Sequence, residues 1–227
     1  MSAVYNIPAG LPFADVLAQG LLERYQAEPL QLAECLVLLP TRRACRTLKE
    51  AFLRQSDGKA LLLPRMVPLG DLDAEELALT TGASIAPAIS PRRRQLLLAQ
   101  LVARFNDTWL PAQHLAYARQ LGRLMDDIAI ENADVAKLDD LASGTGISEH
   151  WGLTLNFLKP VLAAWPAILE AEGALDPVAR RNLLLEAQAK AWRETPPQTP
   201  VIAAGMTGVI PAIATLLRAV LALPKGE

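Results

Sequence analysis

Between Cys35 and Arg54 the pattern of apolar positions changes period. Cys35-Leu36-Val37-Leu38-Leu39 is an unbroken apolar run closed by Pro40, too short for a helix and lacking a polar face, so it predicts a strand buried on both sides. Thr41 then offers an N-cap, and Ala44, Cys45, Leu48, Ala51 and Phe52 recur at three- and four-residue intervals, which predicts a helix laid against that strand's sheet. Upstream, Val4-Tyr5-Asn6-Ile7-Pro8 predicts a first strand, Ala9-Gly10-Leu11-Pro12 a turn, and residues 13–25 a helix. Downstream, Ala60-Leu61-Leu62-Leu63, cut by Pro64, predicts a third strand, after which Val67-Pro68-Leu69-Gly70-Asp71 leads away from the sheet. Strands alternating with helices imply a parallel α/β sheet with crossover connections.

From Asp71 the helical period takes over. A short acidic helix is predicted from Asp71 to Thr80, ended by Gly82. Ser90-Pro91 opens a helix with Leu96, Leu97, Leu101, Val102 and Phe105 on its buried side. Pro111 opens another carrying Leu115, Ala118, Leu121, Leu124, Met125 and Ile128. Trp151, Leu155, Leu158, Leu162 and Trp165 mark a long helix over 148–172, the tryptophans reading as core, and Asp176-Pro177 caps a last one through Trp192. Val201-Ile202-Ala203-Ala204 returns to strand, Gly205-Met206-Thr207-Gly208 to a turn, and residues 211–223 form an apolar helix. The predicted organisation is an α/β core from residues 1–70 and 196–227 with an all-helical insertion at 71–195. The close, Leu223-Pro224-Lys225-Gly226-Glu227, reads as a loop, leaving a four-stranded sheet with an open edge and suggesting the first piece of a longer protein.

Charge adds a second layer. Net charge is −2, with 20% charged and 52% hydrophobic residues, so the chain is no polyelectrolyte and any nucleic-acid role needs a local patch. Residues 42–65 supply one: Arg42, Arg43, Arg46, Lys49, Arg54, Lys59 and Arg65 face only Glu50 and Asp57. Arg42, Arg46, Lys49 and Arg54 fall on the polar face of the predicted helix, with Arg43 beside them in its first turn. A helix N-terminus already carries partial positive charge, so two arginines there cost about 0.3–1 kcal/mol each without an anion nearby. Periodicity leaves two readings open, a solvated face and an anion site. Arg92, Arg93 and Arg94 repeat the arrangement, with the acidic helix before them as a possible partner.

Other chemistry is sparse. Cys35 and Cys45 fall at predicted core positions, which fits a reducing compartment. The opening MSAVYNIPAG lacks a signal-peptide pattern, and Pro211 and Arg218 interrupt the last apolar tract, so the chain reads as cytoplasmic without a membrane segment. His114 and His150 belong to no Cys/His cluster, no G-x-S-x-G occurs, and no metal ligand set is predicted. The strand-turn-helix at Pro8-Ala9-Gly10 sits where a P-loop would, but it lacks the second glycine and the Lys-Ser/Thr pair that hold phosphate and Mg²⁺.

This order of parts resembles the first RecA-like domain of superfamily 1 helicases, with Leu38-Leu39-Pro40-Thr41-Arg42-Arg43-Ala44 similar to their motif Ia. More closely, that segment, Ile7-Pro8-Ala9-Gly10-Leu11-Pro12-Phe13, Leu61-Leu62-Leu63-Pro64-Arg65, Pro68-Leu69-Gly70-Asp71 and Val201-Ile202-Ala203-Ala204-Gly205-Met206-Thr207-Gly208 resemble the amino-terminal region of proteobacterial AddB-type subunits of AddAB helicase-nucleases. The resemblance implies a degenerate helicase-like parallel sheet with a large helical insertion. It implies that Thr41, Arg42, Arg43 and Arg46 contact DNA, that Pro8, Ala9 and Gly10 hold a degenerate phosphate-loop position, and that Ala203, Ala204 and Gly205 hold a degenerate Walker B position. No ATP hydrolysis and no cofactor are expected of this chain. ATP and Mg belong to the AddA-type partner subunit, and the iron–sulfur cluster belongs to a nuclease domain much further along such proteins. The partners implied are DNA and the AddA-type subunit. Two other readings stay open: a purely structural scaffold for subunit assembly, and a nucleotide-binding α/β enzyme using the crevice at the sheet's switch point.

Overall fold

The computed structural model describes residues 4–69, 84–105, 108–135 and 149–227, the side chains of 149–156 excepted. The predicted helix over Asp71–Thr80 and the loop at 143–146 lie outside the described residues. The chain is mixed α/β, mostly helical, with one small parallel sheet. It divides into two compact units, one from residues 1–84 and 183–227 and one from 85–182.

The first unit is built on β1 (Leu36–Leu39), which pairs parallel with β2 (Arg65–Pro68) on one side and β3 (Val201–Ala203) on the other. Leu36 sits opposite Arg65 and Val201. The period of two then sorts the side chains. Cys35, Val37 and Leu39 join α1 (Phe13–Arg24), α2 (Pro29–Glu34) and α3 (Arg42–Gln55) in one core, in which Leu48, Ala51 and Phe52 of α3 are fully covered. Leu38 points to the other face, where Leu185, Ala189 and Trp192 of α7 (Pro177–Glu194) and Leu216, Ala219 and Val220 of α8 (Pro211–Ala222) meet it. An apolar run covered on both faces is what this packing requires.

Several expected elements are corrected. Residues 4–8 carry no regular secondary structure and join no ladder among the described residues, so the expected first strand is absent there. Ala60–Leu63 forms no strand either; Leu61 and Leu63 pack on the core, and the ladder begins after Pro64, at Arg65. Apolar character there reported partial burial of Leu61 and Leu63, with Leu62 exposed, and not pairing. The closing residues are not a free loop: Val201 donates to the Lys225 carbonyl at 3.1 Å, Glu227 to Val201 at 3.0 Å and Ala203 to Glu227 at 2.8 Å, a short parallel continuation beside β3. A side chain at Gly226 would overlap the Val220 carbonyl, so the turn into this segment demands glycine. Arg24 fastens the segment by donating to Glu227 and to the Tyr5 hydroxyl, with the Tyr5 ring 5.0 Å from its guanidinium carbon.

In the second unit α4 (Pro91–Phe105), α5 (Pro111–Ile130) and α6 (Glu149–Ala171) enclose Leu98, Val102, Leu121, Met125, Leu158 and Trp165. Leu96 and Phe105 of α4 and Leu124 of α5 are exposed, against expectation, because the apolar stripe is wider than the face that packs. Two of the three crowded arginines at the start of α4 are paired: Arg93 spans to Glu172 with contacts of 2.6 and 2.9 Å, and Arg94 turns inward. Arg94 donates to Asp176 at 3.0 Å, to Asp126 at 3.2 Å and to the Gly122 carbonyl at 3.2 Å, while the Trp165 indole donates to the same Asp176 oxygen at 3.1 Å. No helix among the described residues is long and apolar enough to cross a membrane.

Candidate nucleic-acid interface

The carboxyl ends of β1 and β3 open into a cleft of about 490 Å³ in the first unit. Phe13, Leu17, Leu39, Leu48 and Ala204 give it an apolar floor, and Asp15, Thr41, Arg43, Thr47 and Arg54 ring it with polar groups. Crevices at strand carboxyl ends, where neighbouring connections diverge, are where open α/β sheets take ligands.

Thr41 stands where strand becomes helix. Its hydroxyl oxygen accepts from the Ala44 amide at 3.1 Å, capping α3 as the sequence predicts. The hydroxyl proton is not used by that bond, so Thr41 can cap and still donate to an anion. Replacing Thr41 with alanine removes the cap, and the expected loss is about 1 kcal/mol of stability, read as a lower Tm. An unchanged Tm contradicts a working cap.

Among the predicted site residues, the cleft gathers Thr41, Arg43, Ala204 and Gly205. Arg42 and Arg46 are exposed on α3 but do not line it, and Pro8, Ala9, Gly10 and Ala203 are also outside it. No acidic residue occupies the first turn of α3. The charged face also splits in a way periodicity missed. Arg54 swings to α1, where its Nε and Nη2 donate to one Asp15 oxygen at 3.0 and 2.7 Å. Arg46 is held along its own helix by Glu50 at 3.0 Å. Arg43 has no carboxylate partner among the described residues.

Gly10 forms an exposed turn with φ of +95°, followed by Leu11-Pro12-Phe13 rather than a lysine and a hydroxyl. At the end of β3 stand Ala204 and Gly205, without a carboxylate, and the Phe13 ring lies 3.3 Å from where a Gly205 side chain would begin. Among the described residues no three His, Cys, Asp or Glu side chains gather as metal ligands. Cys35 and Cys45 are buried, and burial pushes the Cys35 thiol above its ordinary range.

Asp15, Thr47 and Phe13 are cleft residues that the sequence did not single out. Asp15 carried one faint signal, an acid in the first turn of a helix. Comparison with family models, curated proteins and solved structures gives no match to this chain.

Proposed function

We propose that this chain is the amino-terminal part of an AddB-type subunit of a cytoplasmic DNA double-strand-break repair helicase-nuclease. Its sheet is a degenerate helicase-like core carrying a helical insertion, and it grips the DNA backbone and contacts an AddA-type partner without hydrolysing ATP. The observation that carries the reading is the start of α3: Thr41, Arg42 and Arg43 follow directly on the carboxyl end of β1, and the first turn of the helix contains no acidic residue of its own. A phosphate there meets a hydroxyl donor, guanidinium groups and the positive end of a helix together.

Phosphate contacts confer affinity without reading bases. The chain is therefore expected to bind unrelated single-stranded oligonucleotides equally, and to lose roughly tenfold or more in affinity on a fourfold rise in salt, for about three phosphate contacts. Anisotropy titrations with two unrelated sequences check this. Salt-insensitive or strongly sequence-selective binding contradicts it.

The scaffold reading has its own support. Arg93, Arg94 and Arg54 are spent on Glu172, Asp176 and Asp15, so much of the guanidinium charge serves internal pairing. Co-purification with a large partner, without DNA binding, favours that reading.

A further inference from the structure

We infer that the basic face of α3 is charge-buffered by two of the chain's own carboxylates, Glu50 and Asp15, which hold Arg46 and Arg54 and limit how tightly a polyanion is gripped. The inference rests on the nucleic-acid reading above and concerns the strength of the grip, not its existence.

Both pairs are solvent-accessible and exchangeable. The Arg46–Glu50 side chains are 83% and 51% exposed, and the Arg54–Asp15 side chains 54% and 24%. Ion pairs so placed are weak, so an arriving phosphate can displace the carboxylate. The ion balance of that exchange differs from ordinary binding. An unpaired arginine that meets a phosphate releases a condensed cation from the strand, and this release drives association. A paired arginine releases the same cation, but its freed carboxylate takes up another from solution. The net release is close to zero, and the contact adds little affinity and little salt dependence.

Arg43 and Arg46 thus differ in kind although they lie on neighbouring turns of one helix. Arg43, without a carboxylate partner among the described residues, supplies the salt-dependent hold; Arg46 and Arg54 supply contacts exchanged at almost no gain. A face of this type suits a strand that must slide across it. Asp15 adds a local effect, because it shares the cleft with Arg43 and keeps negative charge beside any phosphate that enters.

Glu50→Gln and Asp15→Asn remove the buffering charges with almost no change in shape. With a labelled single-stranded oligonucleotide as the probe and the whole chain as the protein, each variant is expected to bind about threefold tighter at low salt. Each should also steepen the plot of log affinity against log salt by about 0.7. Adding Arg46→Gln to Glu50→Gln should return the slope to that of the unaltered chain. Glu50→Gln touches only α3, so it carries the test by itself if Asp15→Asn loosens the packing of α1. Glu186→Gln, an exposed acid of α7, controls for net charge. Unchanged slopes in chains that bind, or an equal gain from Glu186→Gln, overturn the buffering and leave the nucleic-acid reading standing. Binding by Glu50→Gln and Asp15→Asn but not by the unaltered chain supports the buffering in its strongest form. Binding by no variant overturns the nucleic-acid reading and the buffering with it.

Discussion

Replacing Asp176 with alanine lowers the melting temperature by about 10 °C, corresponding to roughly 3 kcal/mol. Asp176 is 7% exposed and is the buried charged residue among those described. One of its oxygens receives both the Arg94 Nε and the Trp165 indole. Truncation leaves a largely covered guanidinium short of half its countercharge and a buried indole N–H without an acceptor. Each of these is costly, because desolvation has been incurred and the compensating bond is gone. The cost stays at the low end of the range for broken buried pairs because Arg94 keeps Asp126 and the Gly122 carbonyl. Removing the neighbouring arginine, Arg93→Gln, breaks an exposed pair with Glu172 and should move the melting temperature far less. Thermal melts followed by circular dichroism separate the two. Equal shifts contradict the distinction between a buried and an exposed pair.

That contrast also shows what the sequence could convey. Arg92, Arg93 and Arg94 stand together as one basic cluster in the sequence, and only the fold reveals that Arg94 turns into the second unit's core while Arg93 crosses to a residue 79 positions away. The same limit applies at the candidate site. Thr41 was legible as a cap because capping is local, and β1 was legible because five apolar residues before a proline admit few alternatives. The pairing of Arg54 with Asp15 spans 39 residues and depends on how α1 and α3 meet, for which periodicity has no signal. Strand β2 was misplaced for a different reason: Arg65 is an exposed strand position, and the more apolar Leu61-Leu62-Leu63 beside it drew the assignment. Helix α2, six residues long, is too short to show a period at all.

The largest effect on function is expected from reversing the charges that open α3. Arg43 lines the cleft and Arg42 is exposed beside it, and Thr41 precedes both. Arg42→Glu with Arg43→Glu takes away the two proposed phosphate contacts and sets two negative charges in their place, close to the capping hydroxyl. For single strands each lost contact flattens the salt dependence by about 0.7, so the double variant should be shallower by about 1.4. Its affinity at low salt should fall at least about tenfold. Stability should not fall with it, since acidic side chains in a first turn favour the helix, and a melt performed alongside separates loss of binding from loss of fold.

The measurement that tests the central claim most directly is therefore anisotropy of a labelled single strand across a salt series, comparing the unaltered chain with Arg42→Glu plus Arg43→Glu. The account predicts steeply salt-dependent binding by the unaltered chain and a weaker, shallower curve for the variant. Superimposable curves from two folded proteins would contradict it, and would show that the start of α3 is not where the chain meets nucleic acid.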